Sequence, residues 1–334
     1  MFRSRVLAAQ ALGLAVAALL LAAPARAAEV VDKLLPNDTE IVLSVNLKQI
    51  LNSPLGKKIP RDKIEDAIKS QDEVNKNLED LGFNPLDDLH SLVVAVSGGN
   101  EPDKGLVIAH GKFDVKKFEA KAEEVAKDMK DVLKIHKVPD GLGGSTKLYE
   151  VTPPGQDNPL WVALPNGTTL LASGGKDYVL DALDKEAGRK QTALKNKDLA
   201  ALLNRLDTTQ SIWLAVLGST LAKNPQLSGN QDVKEVLDKI SDATAAINVD
   251  KDLKVQVSVT AKTAADAKDL DEKLKDGLNT ALGAVALLAG QKKELAPLVD
   301  VLKNVKPDVK GKVVSVELEL SGKDIEKAID KNKD

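Results

Sequence analysis

Ser211-Ile212-Trp213-Leu214-Ala215-Val216-Leu217 restates the pattern of Ile41-Val42-Leu43-Ser44-Val45-Asn46-Leu47, and these two stretches decide how the chain is read. Each is an apolar run with partial alternation, the signature of a strand. Leu43, Val45, Ile50 and Pro54 match Leu214, Val216, Leu221 and Pro225 at one constant offset. After the first stretch, Ser53-Pro54 reads as an N-cap with Pro at the first helical position. Charged helical sequence runs to about Leu81, where Gly82 and Pro85 stop it. Leu92–Val96 and Leu106–His110 read as a hairpin. Val115 to Lys130 reads as a helix, because Phe118, Ala122, Val125, Ala126 and Met129 recur at helical spacing. Val132 to Val138 reads as the next strand.

After the second stretch the same order returns. A helix is expected near Val233–Ile240, then a hairpin of Thr244–Val249 and Leu253–Thr260 across Asp250-Lys251-Asp252. Helical sequence from Ala264 to Lys303 is expected to break near Gly290, and Lys312–Leu320 alternates as a strand. Ser173-Gly174-Gly175-Lys176-Asp177 and Ser321-Gly322-Lys323-Asp324 form a second echo, each where a strand gives way to a helix. Between the two copies, residues 146–206 add strands at Lys147–Thr152, Leu160–Leu164 and Thr168–Ser173. The last two are joined by the hairpin signal Asn166-Gly167. Helices follow at Asp177–Ala187 and Asp198–Leu206. The expected fold is therefore α+β: two tandem ferredoxin-like (β-α-β-β-α-β) modules with mainly antiparallel sheets and a β-rich insertion. The domains are a signal peptide at 1–27, a first module with its β-rich extension at 28–207, and a second module at 208–334.

Composition narrows the chemistry. The 334 residues are 43% hydrophobic but only 2% aromatic, so the core is aliphatic. With no Cys, thiol catalysis, disulfides and thiolate metal sites are excluded. The net charge of −3 argues against nucleic acid as a partner. Arg3 and Arg5 precede an apolar run from Val6 to Ala23, then Pro24 and Ala25-Arg26-Ala27. A retained membrane anchor is the competing reading. The Pro and the small-x-small pattern favour cleavage before Ala28 and a secreted or periplasmic chain. Cleavage removes three arginines and takes the net charge from −3 to −6. Ala281–Ala289 is too short to span a bilayer, so no transmembrane segment remains after cleavage.

Leu35-Pro36-Asn37-Asp38-Thr39-Glu40-Ile41-Val42-Leu43-Ser44-Val45-Asn46-Leu47, Ser53-Pro54-Leu55, Leu81-Gly82-Phe83-Asn84-Pro85-Leu86-Asp87-Asp88-Leu89 and Gly111-Lys112-Phe113-Asp114 resemble a family of uncharacterised secreted proteins of planctomycete type. The similarity spans nearly the whole mature chain. It implies export and a bacterial source, and it transfers no catalytic residue, ligand or reaction.

Chemical constellations are few. His90, His110 and His136 are the only histidines, and Asp87-Asp88-Leu89-His90 offers carboxylates beside one of them. No two share an i,i+3 or i,i+4 spacing, so they read as one loop and two sheet histidines rather than a metal site. In Gly141-Leu142-Gly143-Gly144-Ser145-Thr146-Lys147 the Lys comes last and a strand follows, unlike a phosphate loop. Ser173-Gly174-Gly175-Lys176-Asp177 precedes a helix, but Asp177 would repel an anion. Asp87-Asp88 and Glu123-Glu124 read as solvated surface, and Trp161 and Trp213 as core. No Gly-x-Ser-x-Gly elbow is present. No catalytic, cofactor-binding or metal-ligating residue is assigned, and no cofactor is expected. The reading is a non-enzymatic binding or structural protein of the cell envelope, with an envelope protein or peptide as partner. The alternative is a hydrolase or metal-dependent enzyme whose site is assembled from distant strands.

Overall fold

The structure is a computed structural model that describes residues 31–331, less 71, 99–102, 140–143, 225–226, 228 and 292–295. Two compact units divide the chain, the first ending at Ala200 and the second starting at Ala201.

In the first unit, β1 (Ile41–Val45) leads into α1 (Leu47–Asn52), α2 (Arg61–Lys69), α3 (Asp72–Leu81) and α4 (Pro85–Asp88). The Asn46 side chain caps α1 by accepting from the Gln49 N–H. Ser53 ends this helix and also caps the turn that follows, its carbonyl accepting from the Lys57 N–H at 3.0 Å. Its N–H reaches the Gln49 and Ile50 carbonyls, and its hydroxyl accepts from the Gly56 N–H at 2.8 Å. Next come β2 (Leu89–Val96), β3 (Gly105–Gly111) and α5 (Val115–Asp128), the last capped by Asp114. The unit continues through β4 (Leu133–Pro139), β5 (Ser145–Val151), β6 (Leu160–Asn166) and β7 (Thr169–Ser173), then α6 (Lys176–Glu186). Helix α7 (Lys197–Arg205) spans the division between the units.

The strands of this unit lie in the order β1-β2-β3-β7-β6-β5-β4, every neighbour antiparallel. Both faces of the sheet are buried. On one, Leu92, Ala109, Leu170, Val162 and Tyr149 pack with Ala122 and Val125 of α5 and Leu78 of α3. On the other, the cross-strand row Val93, Ile108, Leu171, Ala163 and Leu148 is buried, as are Val179, Ala182 and Leu183 of α6. A two-sided sheet explains why β7 reads as a continuous apolar run rather than an alternating one.

The second unit runs β8 (Ile212–Leu217), α8 (Gly218–Lys223), α9 (Gln231–Leu237), β9 (Ile240–Val249), β10 (Leu253–Ala261), α10 (Ala264–Gln291), α11 (Ala296–Asn304), β11 (Lys306–Lys310), β12 (Val313–Leu320) and α12 (Gly322–Lys331). Its strand order is β8-β9-β10-β12-β11, again antiparallel throughout. Leu237, Ile240, Ala261, Ala267, Leu270 and Val314 form its core.

The α+β class and the antiparallel sheets are as the sequence implies, but the strand order is not that of a split β-α-β-β-α-β unit. Such a unit sets strands joined by one helix parallel to each other. Here several helical segments, α1–α4 or α8–α9, lie between the first two strands of each unit, and those strands are antiparallel neighbours.

Candidate functional site

The histidines are held apart. His110 on β3 and His136 on β4 have three strands between them, a separation of about 19 Å at the usual strand spacing. His110 Nε2 meets Asp32 Oδ2 at 2.6 Å. His136 Nε2 meets Glu150 Oε2 at 2.8 Å, and Lys134 reaches the same carboxylate at 2.8 Å. His90 sits at the bulge between Leu89 and Ser91, with the Lys48 ammonium 3.4 Å away. The carboxylates beside it in sequence are engaged elsewhere. Asp88 accepts from the Asn84 N–H, while Asp87 pairs with Arg61 at 2.5 Å. Among the described residues, no three His, Asp or Glu side chains gather where a metal could be held.

Burial pushes the His90 pKa below its ordinary value, and the Lys48 and Lys112 charges push it further, against a smaller opposing pull from Asp88. The unfolded chain therefore takes up this proton first as pH falls below about 6.5, and folding stability declines down through the folded pKa. The expected result is that His90→Gln loses less stability between pH 7.5 and 5 than the parent chain. Urea midpoints at the two pH values measure this, and equal losses would contradict it.

The other motifs are structural. Ser173 Oγ donates to the Gly105 carbonyl and accepts from the Gly175 N–H at 2.9 Å. A Cβ at Gly175 would lie 2.3 Å from the Asp103 carbonyl oxygen, so chain already occupies the approach to this helix start. Gly141–Gly143 lie outside the described residues. Glu123 pairs with Lys147 at 2.7 Å and Glu124 with Lys121 at 3.3 Å, so the two acids engage different lysines. Trp213 is buried. Trp161 is half-buried, with Lys176 Nζ 4.7 Å from its ring centroid and the His136 ring 5.5 Å away.

What the sequence reading missed is a surface of the second unit. Strand register places its apolar side chains in three cross-strand rows on one face of the sheet. Val216, Ala243, Val259 and Val314 form the first, and Val259 and Val314 belong to the core beneath α10. Leu214, Ala245, Val257 and Val316 form the second, and Ile212, Ile247, Val255 and Leu318 the third. None of these eight side chains is fully buried, and Val257 on central strand β10 is 41% exposed. The opposite face is apolar and buried on β8 and β9, where Trp213, Ala215 and Ala246 lie, and polar on β10 and β12, where Gln256 donates to Glu317 at 3.1 Å and Lys254 and Glu319 stand 3.5 Å apart. An open groove of about 600 Å³ is lined by Gln210, Asn248, Gln256 and Glu317 together with Val255 and Leu318 of the third row. Its polar groups largely engage one another, and no histidine lines it.

No protein-family model and no curated protein matches the chain. Solved structures of TP0453 in two crystal forms, I and IV, are similar at TM-scores of 0.44 and 0.43 and 10% identity. They cover 91% and 90% of this chain, and 98% and 97% of their own chains are covered. Likeness at that level transfers neither a fold assignment nor an activity.

Proposed function

We propose that this chain is an exported, non-enzymatic binding protein of the cell envelope, and that the open aliphatic rows of its second unit are the binding surface. The exposed Val257 carries the reading. An isolated surface valine needs no explanation, but this one sits within a continuous apolar row on a central strand, beside a second such row. Water against such a surface is unfavourable by about 25 cal/mol per Å² of apolar area, and a partner that covers it recovers that energy. The aliphatic chemistry of the rows favours an apolar patch of an envelope protein or peptide as the ligand.

We also infer an internal duplication. In each unit the final strand returns beside the third, β7 beside β3 and β12 beside β10. Val45 packs against the core of the first unit, and Val216 lies in the row that contributes Val259 and Val314 to the core of the second. Pro225, the partner of Pro54 in the sequence match, lies outside the described residues.

The test places a photo-crosslinking amino acid at position 257, and separately at 254 on the opposite face, in the native cell. A discrete adduct from 257 and none from 254 is expected, on a mature chain whose N-terminus is Ala28 by mass spectrometry. No adduct, or equal adducts from both faces, would overturn the binding reading. Uncleaved chain retained in a membrane would overturn the export reading.

A further inference from the structure

Helix α10 does not end where its contact with the sheet ends. Ala267, Leu270 and Leu274 pack with Val259, Val309 and Val314, so its first half crosses β10, β12 and β11. Its second half, residues 277–291, carries no charged side chain. Leu278, Ala281, Leu282 and Val285 continue the face of Leu274 and are half-buried, and α11 packs along this helix. The other face is apolar too. Gly283, Ala284, Ala286, Leu287 and Leu288 are all exposed, Leu287 at 71% and Leu288 at 48%. A helix that is apolar on every side belongs in an interior, and this segment is covered on one side only. A Cβ at Gly277 or Gly283 would meet nothing within 4 Å, so contacts within the chain do not require these glycines. Glycine does permit the close approach of another surface.

The open rows of the second unit's sheet have the shape of such a helix. Four strands about 4.8 Å apart and two rows about 6.8 Å apart give the strip around Val257 a footprint of about 270 Å². Residues 277–288 of α10 extend about 17 Å, close to the width of four strands. A foreign segment on the strip alone would bury about 540 Å² over both partners, short of the roughly 1,000 Å² of a specific interface. Two copies that exchange helices use strip and helix twice and reach about 1,100 Å², at the lower limit for a stable pair. The helix does not serve its own strip. It is unbroken from Ala264 to Gln291, and Leu287 lies about 20 Å along it from Leu274, which packs on the core that holds the first row.

We propose that a second copy of this chain covers the rows: Leu287 and Leu288 of each copy dock beside Val257 of the other, about a two-fold axis. The inference rests on the reading of the rows as a binding surface and names their occupant. The contact is isologous, so it closes at two copies instead of growing into a fibre. It desolvates no charge, since neither residues 277–291 nor the eight side chains of the second and third rows carry one. Its small footprint makes the pair reversible and dependent on protein concentration.

The chain has no Cys, so single cysteines report the contact directly. The Val257→Cys chain and the Leu287→Cys chain are mixed and oxidised with copper phenanthroline. A disulfide joining the two chains is expected, and none when Lys254→Cys on the opposite face replaces Val257→Cys. Sedimentation equilibrium of the unaltered mature chain is expected to show monomer and dimer only, a readout that needs no variant to fold. Leu287→Asp is expected to weaken the association about tenfold or more. A chain that stays monomeric up to about 1 mM, species larger than a dimer, or equal trapping from position 254 would each overturn the proposal. The photo-crosslinker at 257 separates this inference from the reading beneath it. An adduct of twice the chain mass supports the second copy. A discrete adduct with another protein overturns the second copy and leaves the rows a binding surface, whereas no adduct overturns both.

Discussion

Lys185→Ala is expected to destabilise the first unit by about 3 kcal/mol, the scale for removing one partner of a buried charged pair. The Lys185 side chain is fully buried in α6. Its ammonium pairs with Asp181 at 2.7 Å and donates to the Leu35 carbonyl at 2.5 Å. That carbonyl belongs to the segment entering β1, where Leu34 and Leu35 are each 1% exposed. Asp32 and Lys33 tie the same segment to His110 and Glu186. Truncation to alanine leaves the Leu35 oxygen buried without its donor, while Asp181 keeps Lys190 at 3.0 Å. Lys185→Met keeps the stem volume, so its loss is expected to be smaller. Urea midpoints rank the three chains, and a loss below about 1 kcal/mol for the alanine variant would contradict the account.

Acid weakens the same cluster. Burial alone would raise the Asp181 carboxyl, but hydrogen bonds from Lys185 and Lys190 hold it below the usual aspartate value. A carboxyl whose folded pKa is depressed contributes stability above its unfolded value, about 3.9, and loses it as pH falls through the folded pKa. The Lys185 variants should therefore converge toward the parent chain in strong acid, because the parent has by then lost that contribution.

Local structure was largely legible in the sequence. The helix expected at Val115–Lys130 is α5 at Val115–Asp128, and the one expected at Asp177–Ala187 is α6 at Lys176–Glu186. Apolar spacing and capping residues fix such elements within their own turns. Strand order was not legible, because the string β-α-β-β-α-β describes a parallel crossover and an antiparallel return equally well. Strand β11 escaped notice because Lys306-Pro307-Asp308-Val309-Lys310 carries little apolar signal, and an edge strand tolerates its proline. The binding surface was hidden for a related reason. Alternation in β12 shows that Val314, Val316 and Leu318 share a face, but not which of them α10 covers.

The second large effect separates residues that maintain the fold from those left for a partner. Leu171→Ala is expected to cost about 3 to 5 kcal/mol, because Leu171 is fully buried in a sheet covered on both faces. Val162→Ala, 2% exposed in the same sheet, should cost about 2 kcal/mol or more. Val257→Ala makes the same chemical change on the second unit's sheet and should cost about half as much, near 1 kcal/mol, since 41% of that residue stays in water on folding. Val257 is also flanked in register by Ala245 and Val316, so its strand would tolerate a polar residue such as Thr without disturbing the ladder. If folding alone set this position, nothing would require an aliphatic side chain there. Thermal and urea unfolding of the three variants test the contrast. A loss at Val257 comparable with that at Val162 would mean that the rows are closed in solution by the chain's own helices, and the binding reading would fail with it.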